Sequence, residues 1–221
     1  DDNLAIGLSA LEQNIDGDSN VAFGYKSLNN NTYGDDNIAI GDNALHGNTI
    51  GDANIAIGRS AGKYNLTGSG NVFMGKNAGL GHINNDQSNN VMIGHNAGYL
   101  NDGDGNLFLG YQSGFNETGD NRLYIENSET GFDSALIYGE FDNDFLRLNA
   151  NTLIRDTLIL PIGANDGYLL RSDFNGKASW AAPDLPAILQ DTDNDTKIQM
   201  EESIDEDKIR FDLGGIEYFV M

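Results

Sequence analysis

A five-residue motif that returns at a nearly fixed interval constrains the fold of this chain more than any other feature. The motif is Asn, three apolar residues and Gly, and it occurs seven times between residues 3 and 110. Its closing glycines are Gly7, Gly24, Gly41, Gly58, Gly75, Gly94 and Gly110. The first four intervals are 17 residues each, and the last two are 19 and 16. A period of this size predicts stacked coils, so the sequence indicates a β-solenoid.

Each copy of the motif is a predicted short strand, because Val, Ile and Phe favour extended backbone and Gly ends the run. The second and fourth residues point to one face, and the third points to the other. Both faces are apolar, whereas a single coil has one interior. We therefore predict that the third residue faces outward, onto a second chain. This residue enlarges along the chain, and the predicted interface residues are Phe73, Met92 and Phe108.

Two further elements complete each predicted coil. A short segment of small residues follows each closing Gly, and a turn rich in Gly, Asp and Asn leads to the next motif. The Asn that opens each motif is predicted to stack on its equivalents as an amide ladder along the coil axis.

The repeat resembles the head repeat of trimeric autotransporter adhesins of the YadA type, over residues 3–114. The resemblance implies a left-handed parallel β-roll that assembles as a tight homotrimer. The period of this chain is longer than the one usual in that family. The predicted fold class is all-β, with a parallel β-roll or β-solenoid of about seven coils, then a β-rich connector and tail, in a homotrimeric fibre.

Three regions are predicted: β-roll head repeats over residues 1–125, a β-rich connector over 126–182, and an acidic β-tail over 183–221. Residues 157–181 resemble a connector common in phage tail fibres and large surface proteins. That resemblance implies two strands joined by an Asp-x-x-Gly turn, with Trp180 as a core residue of a small trimeric β-structure. Residues 209–213 and 217–221 are predicted strands of the tail.

Composition narrows the range of partners. The formal net charge is −22, which disfavours nucleic acid binding through a basic surface. No apolar run is long enough to span a membrane, so we expect no membrane insertion. The chain has no cysteine, and therefore neither disulfides nor thiol chemistry. Asp1 lies two residues before the first motif, so we expect the chain to be a piece of a longer polypeptide.

The tail contains one candidate metal site. The residues are Asp191, Asp193, Asp195 and Glu202, at positions 1, 3, 5 and 12 of an EF-hand loop. Position 6 is Thr196 where an EF-hand has Gly, and helices are not predicted on either side. The alternatives are a looser Ca²⁺-binding turn and a solvated turn whose Asp side chains cap their own backbone. We expect no other cofactor.

The turn between the fifth and sixth motifs is the predicted binding loop. It breaks the register by two residues, and insertions in a solenoid go to surface loops. Its candidate residues are Leu80, His82, Ile83, Asn84, Asn85, Asp86 and Gln87. Apolar and amide groups suit a cell-surface glycan or protein, and the lack of Lys and Arg disfavours an anionic target. The alternative is a tolerated insertion in a spacer.

These features predict a non-enzymatic segment of an extracellular trimeric fibre that acts in adhesion at a bacterial surface. The alternative is the receptor-binding or shaft part of a tail fibre of a phage or phage-like contractile injection system. An enzyme on a β-solenoid, such as a polysaccharide lyase, would need carboxylates with Arg or Lys on one coil face. The coils have few basic residues for such a site.

Overall fold

The computed structural model describes residues 2–83, 85–129, 131–156, 159, 168–174 and 177–182, and the backbone of four later strands. The chain divides into two compact units, Asp1–Leu153 and Ile154–Met221. The described residues form strands and turns and contain no helix, which confirms the predicted all-β class.

Eight short strands of the first unit lie side by side in chain order and run parallel. They are β1 (Leu4–Ile6), β2 (Val21–Phe23), β3 (Ile38–Ile40), β4 (Ile55–Ile57), β5 (Val72–Met74), β6 (Val91–Ile93), β7 (Leu107–Leu109) and β8 (Arg122–Ile125). The same position of each motif stacks on its equivalent in the next coil. The predicted parallel β-solenoid of about seven coils is confirmed.

The parallel stack ends in an antiparallel hairpin. Strands β9 (Ile137–Glu140) and β10 (Phe145–Leu148) extend the sheet beyond β8 to ten strands. The predicted head boundary at residue 125 therefore falls inside one continuous sheet.

The third residue of each motif points into the coil. Its side chain is fully buried within one chain at six positions, Ala22, Ala39, Ala56, Phe73, Met92 and Phe108. The prediction that Phe73, Met92 and Phe108 form an interface with a second chain is therefore wrong. The small-residue segment after each Gly covers this side of the strand, so the third residues share one core with residues such as Ala44 and Leu45.

The interior is filled in two ways along the stack. In the second and third coils, Leu28 and Leu45 are fully buried, and the strands contribute only alanine. The equivalent positions of the later coils are Gly62, Gly79, Gly98 and Gly114. A Cβ on Gly114 would lie 2.7 Å from a ring carbon of Phe108. The larger third residues therefore take the space that leucine occupies in the earlier coils.

Backbone hydrogen bonds join successive coils outside the strands as well. The amide of Leu28 donates to the carbonyl of Ala44 at 3.0 Å, which links the small-residue segments of two coils. The turns stack as closely. A Cβ on Gly34 would lie 2.5 Å from Oδ1 of Asn31 and would overlap the carbonyl oxygen of Gly51. Only glycine fits at this position of the turn.

The asparagines that open the motifs form a buried ladder, as predicted. Nδ2 of Asn54 donates to Oδ1 of Asn37 at 3.1 Å, and Nδ2 of Asn71 donates to Oδ1 of Asn54 at 2.9 Å. The backbone amide of Asn54 also donates to Oδ1 of Asn37, at 3.0 Å. Nδ2 of Asn54 further donates to the carbonyl of Gly68, so each rung satisfies both side-chain atoms.

A second amide column, which the sequence analysis missed, lies in the turns. Nδ2 of Asn31 donates to Oδ1 of Asn14 at 2.9 Å, and Nδ2 of Asn48 donates to Oδ1 of Asn31 at 2.8 Å. The column is interrupted after Asn48, because the buried Oδ1 atoms of Asn48 and Asn65 have no hydrogen-bond partner.

Six short strands are described in the second unit. Strands β11 (Leu169–Ser172) and β12 (Ala178–Ala181) form an antiparallel hairpin, in which Trp180 is half-buried. Its turn is closed by the Asp173 amide, which donates to the Lys177 carbonyl at 2.9 Å. Strands β13 (Ile188–Gln190), β14 (Thr196–Met200), β15 (Ile209–Leu213) and β16 (Ile216–Val220) form a four-stranded antiparallel sheet. The strand predicted at 209–213 has the bounds of β15, and β16 starts and ends one residue before the predicted one.

Candidate functional site

The turn after β5 contains two more residues than the turns before it. Up to Leu80 the chain keeps the ordinary register, because the Tyr64 amide donates to the Leu80 carbonyl at 3.2 Å. From Asn85 the register is shifted by two residues, because the Leu66 amide donates to the Asn85 carbonyl at 2.6 Å. The extra residues therefore lie within 82–84, of which Asn84 is outside the described residues.

The exposed part of this turn is small. Ile83 is 75% exposed, and His82 and Asp86 are exposed beside it. Nδ1 of His82 lies 2.7 Å from Oδ2 of Asp102, in the next coil. This hydrogen-bond contact holds the projecting segment against its neighbour.

The other predicted residues of the binding loop lie inside the coil. Nδ2 of Asn85 donates to the Asn101 carbonyl at 2.6 Å. Nε2 of Gln87 donates to the Gly79 carbonyl at 3.0 Å, and Oε1 of Gln87 accepts from Nδ2 of Asn101 at 2.8 Å. Asn85 and Gln87 are buried and Leu80 is half-buried, so the prediction that Asn85 and Gln87 form a surface contact is wrong. Their amides complete the hydrogen bonding of the interior where the register changes.

A larger surface feature is the outward face of the ten-stranded sheet, where two columns of apolar side chains run side by side. The column through the second residues contains Leu4, Val21, Ile38, Ile55, Val72, Val91, Leu107 and Leu123, and the column through the fourth residues contains Ile6, Phe23, Ile40, Ile57, Met74, Ile93, Leu109 and Ile125. Phe23 is 52% exposed and Ile93 is 39% exposed. These residues lie on the opposite face from the third residues, as predicted, but their face is the outer one and not the interior.

A groove interrupts this apolar face at the antiparallel end. Gly139 pairs with Leu123 on one side and Leu146 on the other, and it contributes no side chain to its column. The result is a groove of about 290 Å³, which Phe141 and Phe145 also line. A side chain from a partner could enter the face at this point.

A separate cavity of about 280 Å³ lies near the end of the parallel stack. Its walls include the aromatic residues Phe115, Tyr124 and Phe132 and the carboxylates of Glu117 and Glu129. The hydroxyl of Tyr124 donates to Oε2 of Glu117 at 2.6 Å. Burial raises the pKa of the Tyr124 hydroxyl, and the hydrogen bond to Glu117 raises it further. This cavity was not predicted from the sequence, because its walls combine the last coil with the segment around Glu129 and Phe132, which lies outside the repeat.

The predicted calcium ligands Asp191, Asp193, Asp195 and Glu202 lie outside the described residues. Within the described part of the chain, no three His, Asp or Glu side chains come together as a metal site.

Comparison with protein-family models, with curated proteins and with solved structures found no match for this chain. What the structure itself defines is the class of the first unit, a parallel β-solenoid of repeated coils with an antiparallel end. None of the described segments is a helix with the length and hydrophobicity needed to cross a bilayer.

Proposed function

We propose that this chain is a segment of an extracellular homotrimeric fibre that attaches to a cell surface and has no chemistry of its own. The observation that carries the proposal is the outward apolar face of the ten-stranded sheet. Large exposed apolar patches usually mark interaction sites, and this one extends along the whole sheet. The resemblance of the repeats to adhesin heads supports the same assembly.

Another copy of the same chain suits this face better than a globular partner does. The two columns repeat at the spacing of parallel strands, about 4.8 Å, and a second solenoid has the same spacing along its whole length. The face is only two side chains wide, which suits a position beside an axis where three copies meet. The remaining surface carries most of the net charge of −22, which favours solubility of the assembled fibre.

The oligomeric state tests this part of the proposal, and the second coil offers a matched pair of substitutions. Phe23 is 52% exposed on the apolar face, and Tyr33 is 54% exposed in a turn. We expect a trimer by light scattering at micromolar concentration, monomers for Phe23→Asp, and an unchanged trimer for Tyr33→Asp. A monomeric wild-type chain would contradict the proposal, and a stable dimer would replace the threefold axis by a twofold one.

Attachment is assigned to the projecting segment at His82 and Ile83. A trimer presents three copies of this segment, so weak single contacts gain from avidity. The exposed apolar side chain of Ile83 beside the His82–Asp102 pair suits contact with a glycan or a protein.

The attachment test uses fluorescent trimer on cultured epithelial cells and on bacterial cells. Deleting His82 and Ile83 restores the 17-residue period, and we expect it to abolish binding without dissociating the trimer. Ile50→Ser, at a 51% exposed residue of another turn, is the control that keeps binding. Binding to bacterial cells alone would favour the tail-fibre alternative. Undiminished binding by the deletion variant would contradict the assignment to this segment.

A further inference from the structure

The cavity at the end of the parallel stack combines aromatic rings with carboxylates, and we name it the aromatic cavity. Phe115 is half-buried, Phe132 is 50% exposed and Tyr124 is buried, so a ligand reaches the rings of Phe115 and Phe132. Glu117 and Glu129 supply two carboxylates, and none of the described residues that line the cavity is Lys or Arg. Negative charge beside ring faces suits a cation rather than an anion.

Packing inside the chain fixes two of the three rings. Phe115 stacks on Tyr99, with ring centres 4.8 Å apart and ring planes 5° apart. The ring of Tyr124 meets Phe108 edge to face at 5.4 Å and Tyr138 at 5.1 Å. The rings of Phe115 and Tyr124 are therefore already ordered, and a ligand that enters the cavity loses little affinity to the ordering of its walls.

One basic residue, Arg147, lies near the cavity without lining it. Its guanidinium carbon is 5.9 Å from the ring centre of Phe132, and its Nη1 lies 3.0 Å from Oδ1 of Asp133. The ion pair with Asp133 offsets the charge of Arg147. The carboxylates of Glu117 and Glu129 therefore leave the cavity negatively charged.

The hydrogen bonds of Glu117 decide which kind of cation fits. Oε1 of Glu117 accepts from the amides of Thr118 at 3.1 Å and Gly119 at 2.8 Å, and Oε2 accepts from the Tyr124 hydroxyl at 2.6 Å. A carboxylate accepts about four hydrogen bonds, so most of this capacity is already used. A primary ammonium brings three N–H donors that need acceptors, whereas a quaternary ammonium needs only charge and ring faces.

We propose that the aromatic cavity binds a small organic cation with a quaternary ammonium group, of which choline is the simplest probe. Its volume of about 280 Å³ suits a ligand smaller than those of most binding pockets. The methyl groups contact the rings of Phe115 and Phe132, and the charges of Glu117 and Glu129 balance that of the nitrogen. The site lies within one chain and is independent of the proposed homotrimer.

Three small molecules test the proposal on the full chain by NMR titration at one ionic strength. Choline is compared with 3,3-dimethyl-1-butanol, its uncharged isostere, and with ethanolamine, which lacks the methyl groups. We expect choline to bind with a dissociation constant of about 1 mM or tighter, and the other two about tenfold more weakly. Absence of choline binding, or equal binding of the uncharged isostere, would overturn the proposal. Equal binding of ethanolamine would overturn the selectivity for a quaternary ammonium.

Matched substitutions locate the site. Phe132→Leu should weaken choline binding about fivefold or more, whereas Tyr33→Leu, at an aromatic residue of similar exposure in another turn, should leave it unchanged. Glu117→Gln should weaken binding about tenfold and Glu129→Gln about threefold, with the exposed Glu12→Gln as the control. Undiminished binding in both Phe132→Leu and Glu129→Gln, which change exposed side chains, would overturn the proposal even if Glu117→Gln fails to fold.

Vesicles distinguish free choline from the choline head group of a lipid. We expect the chain not to sediment with phosphatidylcholine vesicles, because the head-group phosphate would approach the carboxylates of Glu117 and Glu129. Sedimentation that free choline and Phe132→Leu both abolish would overturn the free cation as the ligand and assign the lipid head group. A monomeric chain that still binds choline would overturn the proposed homotrimer and leave this proposal standing.

Discussion

The early and late coils of the solenoid have the same backbone path, but side chains from opposite sides of the coil fill their interiors. In the second and third coils the core side chain is a leucine in the left-handed region, with φ of 47° at Leu28 and 46° at Leu45. In the fifth to seventh coils the core side chain comes from the strand, and glycine stands at the left-handed position. Left-handed backbone costs a non-glycine residue about 1–2 kcal/mol. The early coils therefore accept strain to bury leucine, whereas the late coils have glycine at this position and avoid that strain.

The fourth coil marks the change and shows what the two halves have in common. Its third motif residue is Ala56, and Gly62 stands at the position of Leu45, so both core positions of this coil carry a small residue. A Cβ on Gly62 would lie 2.5 Å from Phe73 of the next coil and 2.9 Å from Leu45 of the previous one. Side chains of the coils above and below therefore fill the space beside Gly62. Interiors packed to this density respond to the loss or gain of single carbon atoms.

The largest effect is expected where a side chain is added to the late type of core. In Gly79→Ala the new Cβ overlaps the ring of Phe73, and the residue has a φ of +55°. We expect a loss of about 4 kcal/mol or more in the free energy of unfolding, measured with denaturant. Phe73→Ala alone should cost about 3–5 kcal/mol. The double variant should lose less than the sum, because each change relieves the other.

Gly131→Ala is the control for this experiment, since a Cβ at Gly131 has no atom within 4 Å. It should leave the free energy of unfolding unchanged. Strict additivity of the Gly79 and Phe73 substitutions would contradict the shared-volume explanation.

A smaller effect is expected when an early coil is converted to the late type. Leu45→Gly removes a buried leucine but also its left-handed strain, so we expect a net loss of about 2–4 kcal/mol. Adding Ala56→Phe should recover stability, because its ring would lie between position 45 and Gly62, as Phe73 lies between Gly62 and Gly79. Ala56→Phe alone should overpack the coil and cost about 1–3 kcal/mol. A double variant less stable than Leu45→Gly would show that the two halves are not interchangeable.

The amide ladder should not distinguish the two halves. Asn37 in the early coils and Asn71 further along each donate and accept side-chain hydrogen bonds with the coils on both sides. We expect Asn37→Ala and Asn71→Ala to cost about the same, about 1–3 kcal/mol each, because each leaves buried partners unsatisfied. The exposed Asn116→Ala serves as the control. Very different costs at Asn37 and Asn71 would mean that core type affects the ladder.

The smallest effect concerns pH and is expected at the antiparallel end. Burial by itself would raise the pKa of Glu126, but hydrogen bonds from the amides of Asn127 and Leu136 outweigh it and lower that pKa. The hydroxyl of Tyr138 donates to Glu140 and lowers the pKa of that carboxyl as well. A carboxyl whose pKa is lower in the folded than in the unfolded state stabilises the folded state at pH values above its unfolded pKa. This stabilisation is lost as the pH falls through the folded pKa.

Hydrogen exchange, corrected for the intrinsic rate, should therefore show β9 and β10 losing protection below about pH 4 before β2–β4 do. Glu126→Gln should flatten this pH dependence. Equal loss of protection in both regions would contradict the assignment of this pH dependence to the antiparallel end.

The positions of the elements were accessible from the sequence because they depend on local preferences. The seven motif strands occur where apolar runs end at Gly. The Asn ladder followed from the period alone. The burial of Asn85 and Gln87 did not, because amides in an irregular turn have the composition of a surface loop.

The direction of the strand faces shows the same division. The sequence by itself determined the period, the strands and the existence of two apolar faces, since these follow from residue types repeated along the chain. Only the tertiary structure decided that the third residue points inward, and hence that Phe73, Met92 and Phe108 are core. The physical reason is closure of the coil: whichever strand face the small-residue segment covers becomes the interior. Which face is covered depends on how side chains of stacked coils fit together, since Leu28 and Leu45 fill the interior and Gly79 leaves room for a larger third residue. A local sequence pattern does not contain this information.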